Sequence, residues 1–290
     1  MAAAVYGMRA VGRSEHFIAC GVLIRTTSRI RQGAEHTVDY QIWFVLGVLL
    51  GNGVGCLLAV FCLVRMVDQR RTVRNRVFLV LVASWALVET ARDDMLFVAA
   101  TAIHMSDYQV HFFLAPSMIL TVFTVLATAT LLWLVARYPH PVWTAGAGTA
   151  VGLLLGVMSL QAALAGRTGS ALSIDIADSL VIAAVLGVAT GISVLLGTGA
   201  TRRSAIATAV TLLAICLTIA QYRIAGGVTT DPSILVDSDV GIDPIQLGVF
   251  TAVALGVRAI ALTVISMIDE GGPESSPDQP QEQVASRDRP

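Results

Sequence analysis

Seven apolar stretches separated by short polar breaks constrain this chain more than anything else in its sequence: residues 41–64, 77–100, 113–136, 142–164, 177–198, 204–222 and 245–268. At a rise of ~1.5 Å per residue, each can cross a hydrocarbon core of ~30 Å. Lipid offers no partner to backbone N–H and C=O groups, so each stretch must satisfy its own as a helix. The expected fold is an all-α integral membrane protein, a seven-transmembrane-helix bundle whose constant partner is the lipid bilayer. Residues 39–268 form this domain. Residues 1–38 read as a poorly ordered extension, and residues 269–290, rich in Pro, Glu, Asp, Gln and Ser, as a disordered cytoplasmic tail.

The spans use up the chain and leave no segment for a folded soluble catalytic domain. HExxH, GxSxG, P-loop and GxGxxG patterns are all absent, and no histidine lies deep in a span beside a serine or cysteine. Enzymatic chemistry is therefore not the expectation. A net charge of −1 gives no reason to expect nucleic acid as a partner. All 19 basic side chains are Arg, which excludes lysine-linked retinal and any other lysine Schiff base, and no cofactor is expected. Cys20, Cys56, Cys62 and Cys216 form no CxxC pair and read as small packing residues.

Arginine placement sets the expected orientation. Arg65, Arg70, Arg71, Arg74 and Arg76 surround the first connection, Arg137 follows the third span, and Arg202 and Arg203 follow the fifth. The opposite side carries Arg167 and Arg223, with Arg29 and Arg31 ahead of the first span. The positive-inside rule puts the N-terminus outside and the C-terminus in the cytoplasm. The connection 223–243, with Asp231, Asp237, Asp239 and Asp243, is then external. The expected location is the cell membrane, as a multi-pass protein.

Inside the second stretch lies the run Glu89-Thr-Ala-Arg92-Asp93-Asp94. Each central charge costs roughly 2.5–3.5 kcal/mol to insert, whereas each Leu, Ile, Val or Phe returns only about 0.3–0.6 kcal/mol. The apolar residues 77–88 cannot offset four fully buried charges, so the run must face protein, a water-filled cavity or the interface. Glu89, Arg92 and Asp93 share one helical face, with Asp94 rotated by about 100°. Arg258 sits near the middle of the seventh stretch, too deep for easy snorkelling. Glu89 and Asp93 are its expected partners across the bundle, in one buried polar centre of Glu89, Arg92, Asp93, Asp94 and Arg258. Such a centre serves either an ion or polar-solute pathway or the fixing of helix register.

Gly47, Gly51 and Gly55 form a GxxxGxxxG stripe on the first span, with Asn52 beside it. Small residues let helices approach closely, so this face is expected to pack on another helix, with Asn52 donating an interhelical hydrogen bond. His104, Asp107, Tyr108 and His111 would share a face if helical. Two histidines two turns apart are ~10 Å apart along the axis, too far to share one ion, so no metal site is expected. Asp175 and Asp178 suit capping of the fifth span, and Gln161, Gln221 and Tyr222 lie toward the same outer side.

The outside-to-inside seven-helix layout, with a basic residue in the seventh span at Arg258, resembles the heptahelical receptors and microbial rhodopsins in topology alone. The sequence favours translocation or gating of an ion or small polar solute through the buried centre. The alternative is a heptahelical sensor or membrane-complex subunit acting through a cytoplasmic partner at the C-terminal tail.

Overall fold

The computed structural model describes residues 34–67, 72–104, 111–112, 115–167, 170–199, 203–235 and 244–270. The apolar stretches are helices: α1 Ala34–Met66, α2 Val73–His104, α3 Ala115–Arg137, α4 Pro141–Ala163, α5 Ile176–Gly199, α6 Arg203–Gly227 and α7 Pro244–Glu270. Of the expected N-terminal extension, residues 1–33 lie outside the described residues, and α1 already begins at Ala34. The expected tail lies outside them from residue 271. Among the described residues, six helices are long and apolar enough to cross a membrane, and α2 is not in that set. Its length suffices, but Glu89, Arg92, Asp93 and Asp94 interrupt its apolar run.

Local chemistry sets the helix ends. Thr72 Oγ1 accepts the Asn75 N–H at 3.3 Å and caps the start of α2. Pro141 occupies the first turn of α4, and the residue before it, His140, is extended at φ −95° and ψ 132°, the backbone that a following proline favours. Asp175 Oδ1 accepts the Ala177 N–H at 2.8 Å ahead of α5, while Asp178 lies in that helix's first turn.

The chain divides into two compact units, residues 1–47 and residues 48–290. In the first unit, α1 is helical from Ala34 and Gly47 has open space around it. The second unit contains the bundle, with a core that includes Leu58, Leu63, Leu87, Leu132, Leu155 and Met158. In it α2 packs against α3, α4, α6 and α7. Large apolar side chains, among them Phe78, Phe123, Trp143, Val181 and Phe250, remain exposed on its outward surface. So much unpartnered apolar surface suits lipid, and the protein is a multi-pass membrane protein.

Helices α4 and α5 approach each other closely. A Cβ at Gly152 would lie 2.6 Å from the Gly187 Cα, and one at Gly148 would lie 2.9 Å from the Gly191 Cα. A Cβ at Gly156 would lie 2.9 Å from the Ala183 Cβ and 3.0 Å from its Cα. Backbone contact at this range requires small residues on both helices. The stripe Gly148, Gly152 and Gly156 repeats the spacing noted on α1 but was not singled out from the sequence.

Four short strands join the connections at one end of the bundle. β1 His111–Phe112 pairs antiparallel with β2 Gly166–Arg167, and β3 Ser170–Ile174 pairs antiparallel with β4 Val228–Leu235. Chain segments leaving α2, α4 and α6 are thereby tied together. The connection expected over 223–243 thus begins as helix up to Gly227 and continues as a strand; residues 236–243 lie outside the described residues. Pairing steps from Ala171 with Asp231 to Ser170 with Leu235, so residues 232–234 bulge out of the ladder. Pro232, which has no N–H to donate, falls in that bulge.

Candidate functional site: a buried charge centre

Hydroxyls inside the helices mostly bond to their own backbone four residues earlier, as Ser84, Thr121, Thr190, Ser193 and Thr218 do. This satisfies a small polar group in apolar surroundings without a partner helix. Charged groups have no such local remedy. Their partners must come from elsewhere in the bundle.

Arg258 reaches those partners from α7. Its side chain is 0% exposed, and its Nη2 lies 3.1 Å from Asp93 Oδ2. Nη1 donates to Thr90 Oγ1 at 3.1 Å and stands 3.7 Å from Asp94 Oδ2. Glu89 meets Arg258 only through its backbone carbonyl, at 3.5 Å from Nη2. The Glu89 carboxylate instead takes Arg92 Nη2 at 2.6 Å, within α2.

Arg92 also grips Asp93. Its Nε and Nη2 donate to Asp93 Oδ1 at 2.9 and 2.8 Å, and Nη1 donates to Thr121 Oγ1 of α3 at 3.2 Å. Asp93 therefore sits between two guanidiniums, one on each carboxylate oxygen. Asp94, turned toward α1, has only the longer contact to Arg258, and its Oδ2 has no hydrogen-bond partner. The structure brings these five charged residues together, with Asp93, Asp94 and Arg258 buried and Glu89 and Arg92 half-buried.

The glycine stripe makes room for this arrangement. A Cβ at Gly51 would sit 3.1 and 3.2 Å from the two Asp94 carboxylate oxygens, and the Thr90 side chain occupies the space that a Cβ at Gly55 would take. Gly51 and Gly55 thus bring α1 against Thr90 and Asp94, one turn apart on α2. Gly47 makes no such contact. Asn52 Nδ2 donates to Thr218 Oγ1 and to Gln221 Oε1 of α6, each at 2.8 Å. Gln221 Nε2 reaches the Thr90 carbonyl at 3.4 Å, and Ser159 Oγ of α4 donates to the Ala91 carbonyl at 3.2 Å.

Four helices besides α2 therefore supply polar groups to the charged turn, α3, α4, α6 and α7, and Asn52 of α1 joins them through Gln221. Asp93 lies ~16 Å from the C-terminal end of α2 at a rise of ~1.5 Å per residue. Thr218 and Gln221 fall near the end of α6, and Ser159 near the end of α4. The centre accordingly occupies the half of the bundle nearer the paired strands.

Thr90, Thr121, Ser159 and Thr218 were not identified from the sequence as parts of the site. Thr90 had a visible signal, since it lies inside the charged run, but an isolated hydroxyl in an apolar helix usually bonds locally. Gln161 is partly buried on α4 with its Oε1 unbonded, and Tyr222 follows Gln221 on α6 at partial burial. No group of three or more His, Cys, Asp or Glu arranged to hold a metal ion occurs among the described residues. The set His104, Asp107, Tyr108 and His111 lies outside the described side chains. Cys56 and Cys62 are buried free thiols, Cys216 is a partly buried one, and Cys20 lies outside the described residues.

Comparison with family models, with curated proteins and with solved structures finds no significant match.

Proposed function

We propose that this protein moves or gates a small ion or polar solute across a cell membrane, through the centre of Glu89, Arg92, Asp93, Asp94 and Arg258. In this reading α2 is a seventh span, whose charges face protein instead of lipid. The N-terminus is external, the C-terminus is cytoplasmic, and the strand end faces outward, following the arginine asymmetry.

One observation carries the proposal: three carboxylates face two guanidiniums in the interior of an apolar bundle. Locking two helices in register needs one ion pair. A third carboxylate adds a large insertion cost and leaves the centre one charge out of balance. Ionisable groups retained in a membrane interior at such cost mark ion and proton pathways.

A proteoliposome flux assay tests this. Vesicles with the purified chain, driven by a proton or alkali-cation gradient, should carry flux above protein-free vesicles, and Glu89→Gln should reduce it at least tenfold while eluting as the wild type does. Flux at background for every ion and small polar solute tried overturns the pathway.

A second reading, a membrane-complex subunit or sensor acting through a partner, is supported by α7. Only 11% of its span is buried, the least of the six apolar helices. Background flux together with stoichiometric retention of a partner in mild detergent would favour it.

A further inference from the structure

Among the three carboxylates, Asp94 is the one without a matched cation. Glu89 pairs with Arg92 at 2.6 Å. Asp93 receives Arg92 on Oδ1 and Arg258 on Oδ2 at 3.1 Å or less. Asp94 is 4% exposed, its nearest guanidinium nitrogen is 3.7 Å away, and its Oδ2 accepts no hydrogen bond. The ionisable groups that act on it electrostatically are Arg258 on α7 and Asp93 on α2, and it acts in turn on the Cys56 thiol of α1. No further cation lies beside it among the described residues.

Two guanidiniums balance two carboxylates, and the third must acquire a positive charge from outside or remain buried as an uncompensated anion. The space beside it decides which charge fits. Toward α1 it faces Gly51, whose missing Cβ would lie only 3.1 and 3.2 Å from the carboxylate oxygens. That gap admits a hydrogen on the carboxyl group, not a metal cation with its shell of oxygen ligands. The described residues also supply no cluster of acidic, His or Cys ligands around it.

We propose that Asp94 is a buried proton-binding site: it takes up one proton from solution as a neutral carboxylic acid, which brings the centre to zero net charge. Its role as a carrier rests on the ion-movement reading above, with the proton as the ion. Asp93, held by both arginines, stays ionised and keeps Arg258 in place while Asp94 gains and loses its proton. Gly51 keeps the position free of a side chain that would press on the carboxyl.

Infrared spectroscopy of the full chain in detergent reads the site without any flux. The wild type at neutral pH should show the carbonyl stretch of one protonated carboxylic acid per chain, shifted by deuteration. Asp94→Asn should abolish it and Asp94→Glu should move it in frequency, whereas Glu89→Gln or Asp93→Asn, which leaves two acids facing two guanidiniums, should weaken it. The Asp94→Glu band guards against loss by misfolding, as does an unchanged elution profile of Asp94→Asn. Persistence of the band in Asp94→Asn overturns the assignment, as does its absence from the wild type or its displacement by sodium at constant pH. If the band is lost in Asp94→Asn but the wild type carries no flux, the proton site stands and the transport reading fails.

Discussion

Arg258 of α7 and Asp93 of α2 stand 3.1 Å apart across the bundle, although 165 residues separate them in the chain. Because Arg92 holds the other Asp93 oxygen, this carboxylate ties three charged groups into one unit. Breaking a buried pair leaves its partner uncompensated at a cost of ~3–5 kcal/mol. Arg258→Leu should lower stability in detergent by that order. Arg258→Leu with Asp93→Leu should show a coupling of ~1 kcal/mol or more, and the pairing of Arg258→Leu with Glu89→Leu a smaller one. Additive losses in the Asp93 cycle would contradict the pairing.

The stripe on α1 is not uniform. At Gly55 a Cβ would take the place of the Thr90 side chain, whereas at Gly47 it would meet nothing within 4 Å. Gly55→Ala should therefore destabilise by ~1–3 kcal/mol through overpacking. Gly47→Ala should change stability by no more than ~0.5 kcal/mol. Thermal unfolding followed by circular dichroism ranks the two, and equal effects would place the close approach elsewhere.

Asn52 links α1 to α6 through two donated bonds of 2.8 Å. Interhelical hydrogen bonds in membranes contribute ~0.6 kcal/mol on average and up to ~1.7 kcal/mol. A double-mutant cycle of Asn52→Ala with Gln221→Ala should return a coupling in that range. A coupling indistinguishable from zero would show that this bond does not hold α1 to α6.

Orientation can be read by chemistry at two positions at opposite ends of the bundle. In a chain whose native cysteines are replaced, Thr72→Cys, at the start of α2, should label only after the membrane is opened. Ser173→Cys, in β3, should label from outside with an impermeant thiol reagent. External labelling at position 72 would invert the topology.

The seven helices are legible in the chain because apolar length and its interruptions are local properties. Pro141 and Asp175 punctuate helix starts through chemistry confined to a few neighbouring residues. A buried arginine likewise demands an anionic neighbour on energetic grounds alone, so the position of Arg258 within an apolar stretch is enough to point to a carboxylate. Which carboxylate it meets depends on how α2 and α7 are rotated about their axes. No linear spacing encodes that rotation, and it puts the Asp93 and Asp94 side chains, but only the backbone of Glu89, within reach of the guanidinium. The same holds for small-residue stripes: Gly55 and Gly152 each announce a close approach, but only packing selects Thr90 for one and Gly187 for the other. The paired strands were missed for a related reason. Ile174 finds its hydrogen-bonding partner in Val228, beyond two intervening helices, and nothing in either short segment marks the other as its mate. Local hydrophobicity determines what becomes a helix. The mutual fit of helices distant in sequence decides that three acids and two arginines share one interior, with Asp94 left as the acid without its own cation.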